Sequence, residues 1–516
     1  MKKQIELIIF PENIYNQEFI LSFAAKKLNV NPSDITGIRT IRRSIDARQR
    51  PIFKLLADVY INEPFSEDEP KYVYSPVDGK KNVIVVGFGP SGIFASLRLI
   101  ELGIKPIIIE RGKDVQLRRR DLRTLQQEQV VNPDSNYCFG EGGAGTYSDG
   151  KLYTRSVKRG NVKKVLEIFI QHGANPEITI DSHPHIGSNK LPKIISAVRQ
   201  TILNAGGEIH YESKVTDLIL KDKNAKGVVV NSEQEYFADA VILATGHSAR
   251  DIFHILKKNN IEIESKPFAM GVRIEHPQPL INEIQYHTKF KPDNLPSAAY
   301  NVSKNIDGKG VYSFCMCPGG IIVPAVTAPG EIVVNGMSMA RRDSPFANAG
   351  LVAEVNEEDW GKKYTDPIFG GLQLQQEIEQ NAFKMVSKSL AAPAQRATDF
   401  VEGKISQTLP KTSYIPGVAP VRLDEELPTF LVKRLKKALK EFDKKMKGYF
   451  SDEAILVGVE TRTSSPIRVP RDRETFMNPQ TTGLFPCGEG SGFAGGIVSS
   501  ALDGENCANA VSEYLK

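Results

Sequence analysis

The sequence contains few cysteines, and no two of them form a CxxC pair. Its five cysteines are Cys138, Cys315, Cys317, Cys487 and Cys507. This spacing forms no disulfide framework and disfavours a disulfide reductase of the CxxC type. Cys315 and Cys317 share one side of an apolar strand, but the further ligands that a metal site needs are lacking nearby. We therefore expect no metal and a reducing, cytoplasmic compartment.

Long apolar runs and a strong charge of one sign are also lacking. No stretch approaches the roughly 18 apolar residues of a membrane-spanning helix. The first apolar run is broken by Pro11, so we expect neither a signal peptide nor a membrane anchor. The net charge of +5 is too small to indicate nucleic-acid binding. An arginine-rich segment, residues 39–50, is the only hint of it. We interpret it as a solvated, salt-bridged surface, with an anion or nucleic-acid patch as the alternative.

The segment around which the chain is organised is residues 81–111, which has the pattern of one βαβ unit. An apolar strand, residues 83–86, leads into Gly87-Phe-Gly89-Pro-Ser-Gly92 and a helix over residues 93–102. A second apolar strand, residues 106–109, ends at Glu110. In this pattern the glycines allow a tight turn, close approach of a pyrophosphate and close helix packing. An acid about 20 residues further on accepts the ribose hydroxyls, so the segment predicts dinucleotide binding.

Two more glycine-rich segments follow. Five of the residues 140–150 are glycine, which suits backbone pressed against a flat ligand, with a flexible surface loop as the alternative. Residues 482–496 join an apolar strand to a helix over residues 497–511 and again direct N–H groups at a ligand. NAD would need only the first strand-to-helix junction. The presence of two such junctions favours a flavin dinucleotide, because its ribityl chain and ring could be held by the second one. No second GxGxxG motif indicates an NAD(P)H domain. Either NAD(P)H binds transiently at the inserted domain as a reductant, or the electrons come from the substrate itself.

Several motifs, in order, resemble those of a known family: FGEGGAGTYSDGKL, ATGHSARD, FCMCPGG, ETRTSSPIRVPRD and GLFPCGEGSGFAGGI. They are similar to motifs of the uncharacterised bacterial FAD-dependent dehydrogenases, NAD(P)/FAD-dependent oxidoreductases of the glutathione-reductase-like fold with an extra N-terminal domain. The resemblance covers about residues 40–516. It implies FAD, expected to be non-covalent, and leaves the reaction open.

The predicted fold class is α/β, in five parts. Residues 1–65 are a small α/β module, with strands over residues 4–10, 35–41 and 52–61 and a helix over residues 17–28. The arginine-rich segment joins the last two of these strands, and residues 66–80 are a linker. Residues 81–260 and 451–516 are two parts of a Rossmann-like FAD-binding domain with a parallel central sheet, and the strand at residues 455–460 is assigned to it. Residues 261–450 are an inserted, mainly antiparallel substrate or cap domain of the α+β type.

The resemblance and the motifs together predict the cofactor contacts. These are Gly87, Gly89, Pro90, Ser91 and Gly92 at the pyrophosphate, Glu110 and Arg111 at the adenosine ribose, Gly143, Ala144 and Gly145 at the flavin ring, Val215 at the adenine, Gly246 closing the pocket, Gly488 and Glu489 at the ribityl-phosphate side, and Gly495, Gly496 and Ile497 where the last helix points its dipole at flavin N1.

Four side chains are candidates for the chemistry above the ring. His247 follows a buried strand, predicted over residues 237–244, that ends at the cleft, and histidine side chains in general titrate near neutrality. His185 precedes a helix and is a second candidate. For both, a structural histidine is the alternative. Arg273 and Arg462 are candidates to pair bidentately with a substrate carboxylate, with an ion pair inside the protein as the alternative for each.

These patterns predict an FAD-dependent oxidoreductase, a dehydrogenase or reductase that transfers a hydride through flavin N5 to or from a small or medium organic substrate. A flavin-dependent RNA-modifying enzyme and a non-catalytic flavin-binding sensor or scaffold are the alternatives. The substrate, the direction of electron flow and the oligomeric state stay open.

Overall fold

Strands and helices both occur throughout the chain. The computed structural model describes residues 1–65, 71–154, 157–387 and 389–516. Part of the predicted linker, residues 66–70, lies outside the described residues. The first elements are β1 Lys2–Ile9, α1 Gln17–Leu28, β2 Ile35–Asp46, β3 Ile52–Ile61, β4 Asn82–Val86, α2 Pro90–Glu101, β5 Lys105–Ile109, α3 Val115–Gln127, α4 Val162–Gln171, α5 Leu191–Asn204, β6 Glu208–His210, β7 Val215–Lys221, β8 Asn224–Val230, β9 Gln234–Phe237, β10 Ala240–Leu243 and α6 Arg250–Lys258.

The remaining elements lie between residue 264 and residue 514. They are β11 Glu264–Ser265, β12 Phe268–Pro277, α7 Gln278–Tyr286, β13 Ser303–Ile306, β14 Lys309–Cys317, β15 Gly320–Pro324, β16 Val334–Ser338, β17 Phe346–Val355, α8 Glu357–Trp360, α9 Gly370–Met385, β18 Ala392–Arg396, α10 Ala397–Glu402, β19 Val418–Pro420, α11 Leu423–Glu426, α12 Thr429–Lys445, β20 Ile455–Glu460, β21 Ile467–Arg468, β22 Leu484–Pro486 and α13 Ile497–Tyr514. None of the helices in the described parts of the chain is long and apolar enough to cross a membrane.

A five-stranded parallel sheet has the order β22-β10-β4-β5-β6. Apart from the edge strand β6, its strands are apolar and mostly buried, as strands covered on both faces must be. Helices α2 and α13 pack side by side against it. Strands from residues 82–243 and from residues 484–486 therefore share one sheet, with their carboxyl ends at one edge. The predicted α/β fold class is confirmed.

Two predicted boundaries in this region were wrong. Helix α2 begins at Pro90 rather than residue 93, because proline's fixed φ and missing N–H suit the first helical position. The predicted strand over residues 237–244 is split between β9 and β10. Asp239 separates them, since its carboxylate accepts the N–H of Asn82 and its own N–H donates to the Asn82 carbonyl.

A second, seven-stranded sheet has the order β13-β14-β17-β12-β20-β18-β19 and is antiparallel except for the β18–β19 pair. Strand β20, assigned from sequence to the parallel sheet, lies here instead, between β12 and β18. Its six residues are all buried, and an apolar run of this kind does not reveal which sheet it joins. The second sheet thus contains a strand from residues 451–516, which were predicted to belong to the FAD-binding domain.

The N-terminal residues form a three-stranded antiparallel sheet, β1-β3-β2, covered by α1. Strand β2 was expected to end near residue 41 but continues to Asp46, so much of the arginine-rich segment is strand rather than loop. Arg43 connects this sheet to the rest of the chain: its side chain bonds Asp181 at 2.7 Å and Glu177 at 3.1 Å, and its N–H donates to the Ile180 carbonyl.

Candidate cofactor and substrate site

One cavity of about 360 Å³ opens at the carboxyl edge of the parallel sheet. That edge, where strand ends and loops converge, is where open α/β sheets bind ligands. Gly89, from the first glycine-rich junction, and Glu489, from the last, both line this cavity. Strands β14 and β20 of the second sheet, and β16 of a separate two-stranded sheet β15-β16, also line it through Cys315, Glu460 and Asn335. Distant parts of the chain therefore meet around a single space.

The first turn has the geometry that a dinucleotide phosphate requires. Gly87 has a φ of +98°, which favours glycine. A Cβ at Gly92 would lie 2.0 Å from the Gly87 carbonyl oxygen, so only glycine lets α2 pack this closely, whereas one at Gly89 would meet only the Cα of Gly143, at 3.7 Å. No described residue accepts a hydrogen bond from the N–H of Gly89 or Ser91. Open space, free donors and the positive end of a helix together fit a pyrophosphate.

Glu110 lies at the end of β5 and is buried. Its carboxylate accepts the N–H groups of Phe88 and Gly112, both at 2.8 Å, and of Gly140 at 3.0 Å. An ionised carboxylate accepts about four hydrogen bonds, so one place is left for a ribose hydroxyl. The neighbouring Arg111 pairs with Asp134 and Asp251 rather than standing free.

The glycine-rich loop over residues 136–152 lies against this turn. A Cβ at Gly143 would be 3.0 Å from the Cα of Gly89, and one at Gly145 would be 3.2 Å from Ile497. Arg118, which the sequence analysis did not select, is fully buried and donates to the carbonyls of Asn136, Tyr137, Glu141 and Gly143. It therefore fixes the shape of the loop. The polar sequence of α3 gave no sign that one of its arginines is internal.

Most of the other predicted cofactor contacts also line the cavity. These are Pro90, Ala144, Val215, Gly246, Glu489, Gly495, Gly496 and Ile497. Gly92 and Gly488 lie behind the lining. A Cβ at Gly488 would be 2.2 Å from Ser91 Oγ, and the Gly488 N–H donates to Asp503 at 2.7 Å, so this glycine allows α2 and the last junction to pack together.

The four candidates for chemistry have different surroundings. His247 lines the cavity, with Nδ1 3.3 Å from Glu489 Oε1. Arg462 also lines it, but its guanidinium bonds Glu379 at 2.8 Å and Glu331 at 3.0 Å.

Arg273 and His185 are not part of the lining. Arg273 is fully buried and bonds Glu460 at 2.8 Å. His185 Nε2 bonds the Ala340 carbonyl at 3.1 Å, and burial lowers the pKa of this imidazole. The ion-pair alternative named for both arginines describes the contacts they make.

The cavity lining also contains residues that sequence reasoning did not select. Lys151, Asn335 and Glu460 line the cavity beside Cys315, whose backbone has a φ of +44° at an irregularity in β14. Lys151 lies near the end of the glycine-rich loop, which is the one local signal that pointed to it. Asn335 and Glu460 line the cavity because of the way β16 and β20 are arranged in the fold, and that arrangement has no local signature in the sequence.

Comparison with known proteins identifies the family. Residues 267–463 match the model described as FAD-dependent protein, C-terminal domain-like, and residues 1–60 match Domain of unknown function (DUF8436). Over 509 residues the chain is 40% identical to an uncharacterized protein of Clostridium beijerinckii, covering 95% of this chain and 94% of that one. The chain belongs to this FAD-dependent, oxidoreductase-like family. Its predicted cofactor, FAD, is confirmed, and the cavity geometry fits it. The narrower glutathione-reductase-like assignment stays a prediction.

Other proteins match a smaller part of this chain, or match it at a lower sequence identity. The thiamine thiazole synthase of Methanococcus vannielii is 24% identical over 189 residues, covering 34% of this chain and 60% of that enzyme. The crystal structure of CtdE in complex with FAD and substrate 4 is 12% identical, covers 84% of this chain and 80% of that chain, and has a TM-score of 0.34.

Proposed function

We propose that this protein of the FAD-dependent family is an oxidoreductase that transfers a hydride to or from a small or medium organic substrate. The observation that carries the proposal is the single cavity that Gly89 and Glu489 share with residues of β14, β16 and β20. The cavity is also lined by the charged side chains of Lys151 and Glu460 and by the Cys315 thiol. A cavity that held only the cofactor would not need these side chains, so we assign them to the substrate. FAD supplies hydride transfer at flavin N5 when it is bound.

The chain's own residues would hold and orient the reactants. The free N–H groups of Gly89 and Ser91 bind pyrophosphate, and Glu110 and Glu489 accept sugar and ribityl hydroxyls. Residues of β14 and β16 also line the cavity and exclude water from the reacting atoms. His247 is the candidate for holding or moving a proton, because it lines the cavity beside Glu489.

Anaerobic reduction of the purified, FAD-containing protein tests this proposal. NADH, NADPH and a panel of metabolites are mixed with it singly, and the flavin absorbance is followed. We expect rapid bleaching by at least one organic donor, and bleaching by NADH or NADPH would support the predicted transient reductant. Dithionite provides the control, since it shows that the flavin can be reduced. A flavin that dithionite bleaches but no organic donor reduces would favour the sensor or scaffold alternative.

A further inference from the structure

Four lysine and arginine side chains line the cavity, and three of them have carboxylate partners. Arg111 pairs with Asp134 at 2.6 Å, and Lys214 with Asp251 at 3.3 Å. Arg462 pairs with Glu379 at 2.8 Å. Lys151 differs: among the described residues no carboxylate oxygen lies within 4.0 Å of its Nζ, and its recorded contact is a donated hydrogen bond to the Met316 carbonyl. Among the described lining residues, Lys151 is therefore the one lysine or arginine with no carboxylate at ion-pair distance.

Two acidic groups in the lining are already neutralised. Asp149 is bonded by Arg342 and by the Ser338 hydroxyl. Glu460 has both carboxylate oxygens on Arg273 Nη1, at 2.8 and 2.9 Å. An ammonium is stabilised by an opposite charge within a few ångströms, and the described carboxylate that interacts with Lys151, that of Asp149, is already paired with Arg342.

Two further donors line the same cavity as Lys151. Arg273 contacts both the Asn335 side-chain oxygen, at 3.3 Å, and the Cys315 carbonyl, at 2.6 Å, so these two residues flank one guanidinium. The contact leaves the Asn335 amide N–H groups unused by any described residue, and the Cys315 side chain is exposed to the cavity. Cys315 also directly precedes Met316, the partner of Lys151. The lining thus presents an ammonium, an amide and a thiol, all of which are donors.

We propose that the substrate carries a carboxylate, and that Lys151 binds it with the amide of Asn335 and the thiol of Cys315 beside it. The inference rests on the proposed function, because it concerns the substrate's end of the same cavity. The ligand anion would provide the ion-pair partner that Lys151 lacks, and its oxygens would accept the three donors. A neutral amide of the same shape would fit the space without that charge.

The test measures binding to the protein with oxidised FAD bound, so it needs no turnover. Benzoate is compared with benzamide, and acetate with acetamide, by calorimetry and by the change in the flavin absorption band. The variant is Lys151→Met, which keeps length and removes charge. Lys309→Met is the control: Lys309 lies on the same strand as Cys315, pairs with Glu358 and is not part of the cavity lining. Protection of Cys315 from iodoacetamide, located by mass spectrometry, gives a readout independent of the flavin.

We expect at least one carboxylate to bind the wild type and the Lys309→Met variant more tightly than its amide and to protect Cys315. Lys151→Met should retain FAD and weaken that binding about tenfold or more. Equal binding of acids and amides, absence of carboxylate binding, or unchanged binding by Lys151→Met would overturn the proposal. Loss of FAD from Lys151→Met with carboxylate binding intact would also overturn it, by assigning the lysine to the cofactor. Carboxylate binding at Lys151 in a protein that no organic donor reduces would refute only the proposed hydride transfer.

Discussion

His247 Nδ1 lies 3.3 Å from Glu489 Oε1, across the gap between the turns that follow the neighbouring strands β10 and β22. Both side chains line the cavity. The imidazole and the carboxylate come from strand ends far apart in sequence, and parallel pairing of the two strands brings them together. A cofactor hydroxyl bonded to Glu489 would therefore also lie close to His247.

Glu489→Gln should weaken FAD binding. The amide keeps the shape of the side chain but loses the charge, and a hydrogen bond to a charged group contributes about 1.5–3 kcal/mol. We expect the dissociation constant of FAD, measured by calorimetry on protein stripped of flavin, to rise about tenfold or more. Glu233→Gln, an exposed glutamate outside the cavity lining, is the control. An unchanged constant for Glu489→Gln would remove this carboxylate from the cofactor site.

Gly89→Val should fold but fail to retain flavin. The Gly89 backbone, at φ −82° and ψ −174°, accepts any side chain, and a Cβ there would meet only Gly143. The added methyl groups would occupy the space that the pyrophosphate needs. The ratio of flavin to protein absorbance measures retention, and circular dichroism measures folding. Gly310→Val, on β14 outside the lining, should stay yellow, and a folded, fully yellow Gly89→Val protein would contradict the assignment.

Features set by neighbouring residues could be predicted from the sequence. Helix Gln17–Leu28 and strand Ile52–Ile61 were predicted with the bounds that the structure has, and the βαβ unit was predicted with its helix beginning three residues late. Periodicity, caps and glycine turns are local signals, which is why these elements could be predicted. Strand β20 was placed in the wrong sheet, since its apolar run suits either one. Lys151 was missed for a related reason: a lysine becomes notable only when folding leaves it without a carboxylate at ion-pair distance.

The contacts of the two arginine candidates could not be predicted from neighbouring residues either. Arg273 and Arg462 lie in sequences that give no sign of their partners, and each partner is supplied by a distant strand or helix. Gly336 and Gly350 leave the space that the Arg273–Glu460 pair occupies, since a Cβ at either would lie within 3 Å of it. Packing of this kind can be explained once the strand order is known, but it cannot be derived from spacing along the chain.

Arg273→Met should destabilise the protein rather than alter substrate affinity alone. Removing the guanidinium leaves Glu460 buried without its partner, and breaking a buried pair costs about 3–5 kcal/mol. Denaturant unfolding measures the loss. The double variant Arg273→Met with Glu460→Met should regain much of it, because no charge is then left unpaired. A stable Arg273→Met protein with a raised KM would instead support the interpretation of Arg273 as a substrate ligand.

Arg43→Ala should loosen the contact between the N-terminal sheet and residues 176–182. The side chain loses its bonds to Asp181 and Glu177, which are 37% and 46% exposed, so we expect a cost of at most about 1 kcal/mol. Faster amide hydrogen exchange in β2 and in residues 176–182 is the measurement. Arg48→Ala removes only an exposed pair with Asp46 and should leave exchange in residues 176–182 unchanged. If amide exchange in residues 176–182 is the same in the Arg43→Ala and Arg48→Ala variants, backbone hydrogen bonds such as that from the Arg43 N–H to the Ile180 carbonyl are enough to hold β2 against these residues.

Glu331 lies in a buried cluster with Glu379, Arg250 and Arg462. Burial, and then the neighbouring Glu379 carboxylate, raise the pKa of Glu331 to about 7. The same group in an unfolded chain titrates near 4.3. Between these values the folded protein binds more protons than the unfolded chain, so this group's stabilising contribution is complete below the unfolded pKa and is lost as pH rises through about 7.

Glu331→Gln removes that titration while keeping the shape of the side chain. The free energy of unfolding of the variant, relative to wild type, should therefore rise between about pH 5 and about pH 8, by at most about 3 kcal/mol because one pKa unit corresponds to 1.36 kcal/mol. Denaturant unfolding across that pH range measures the difference. Glu283→Gln, an exposed glutamate on α7, should follow the wild-type profile. If Glu331→Gln and wild type differ by a constant amount at every pH, Glu331 is ionised throughout and the raised pKa is refuted.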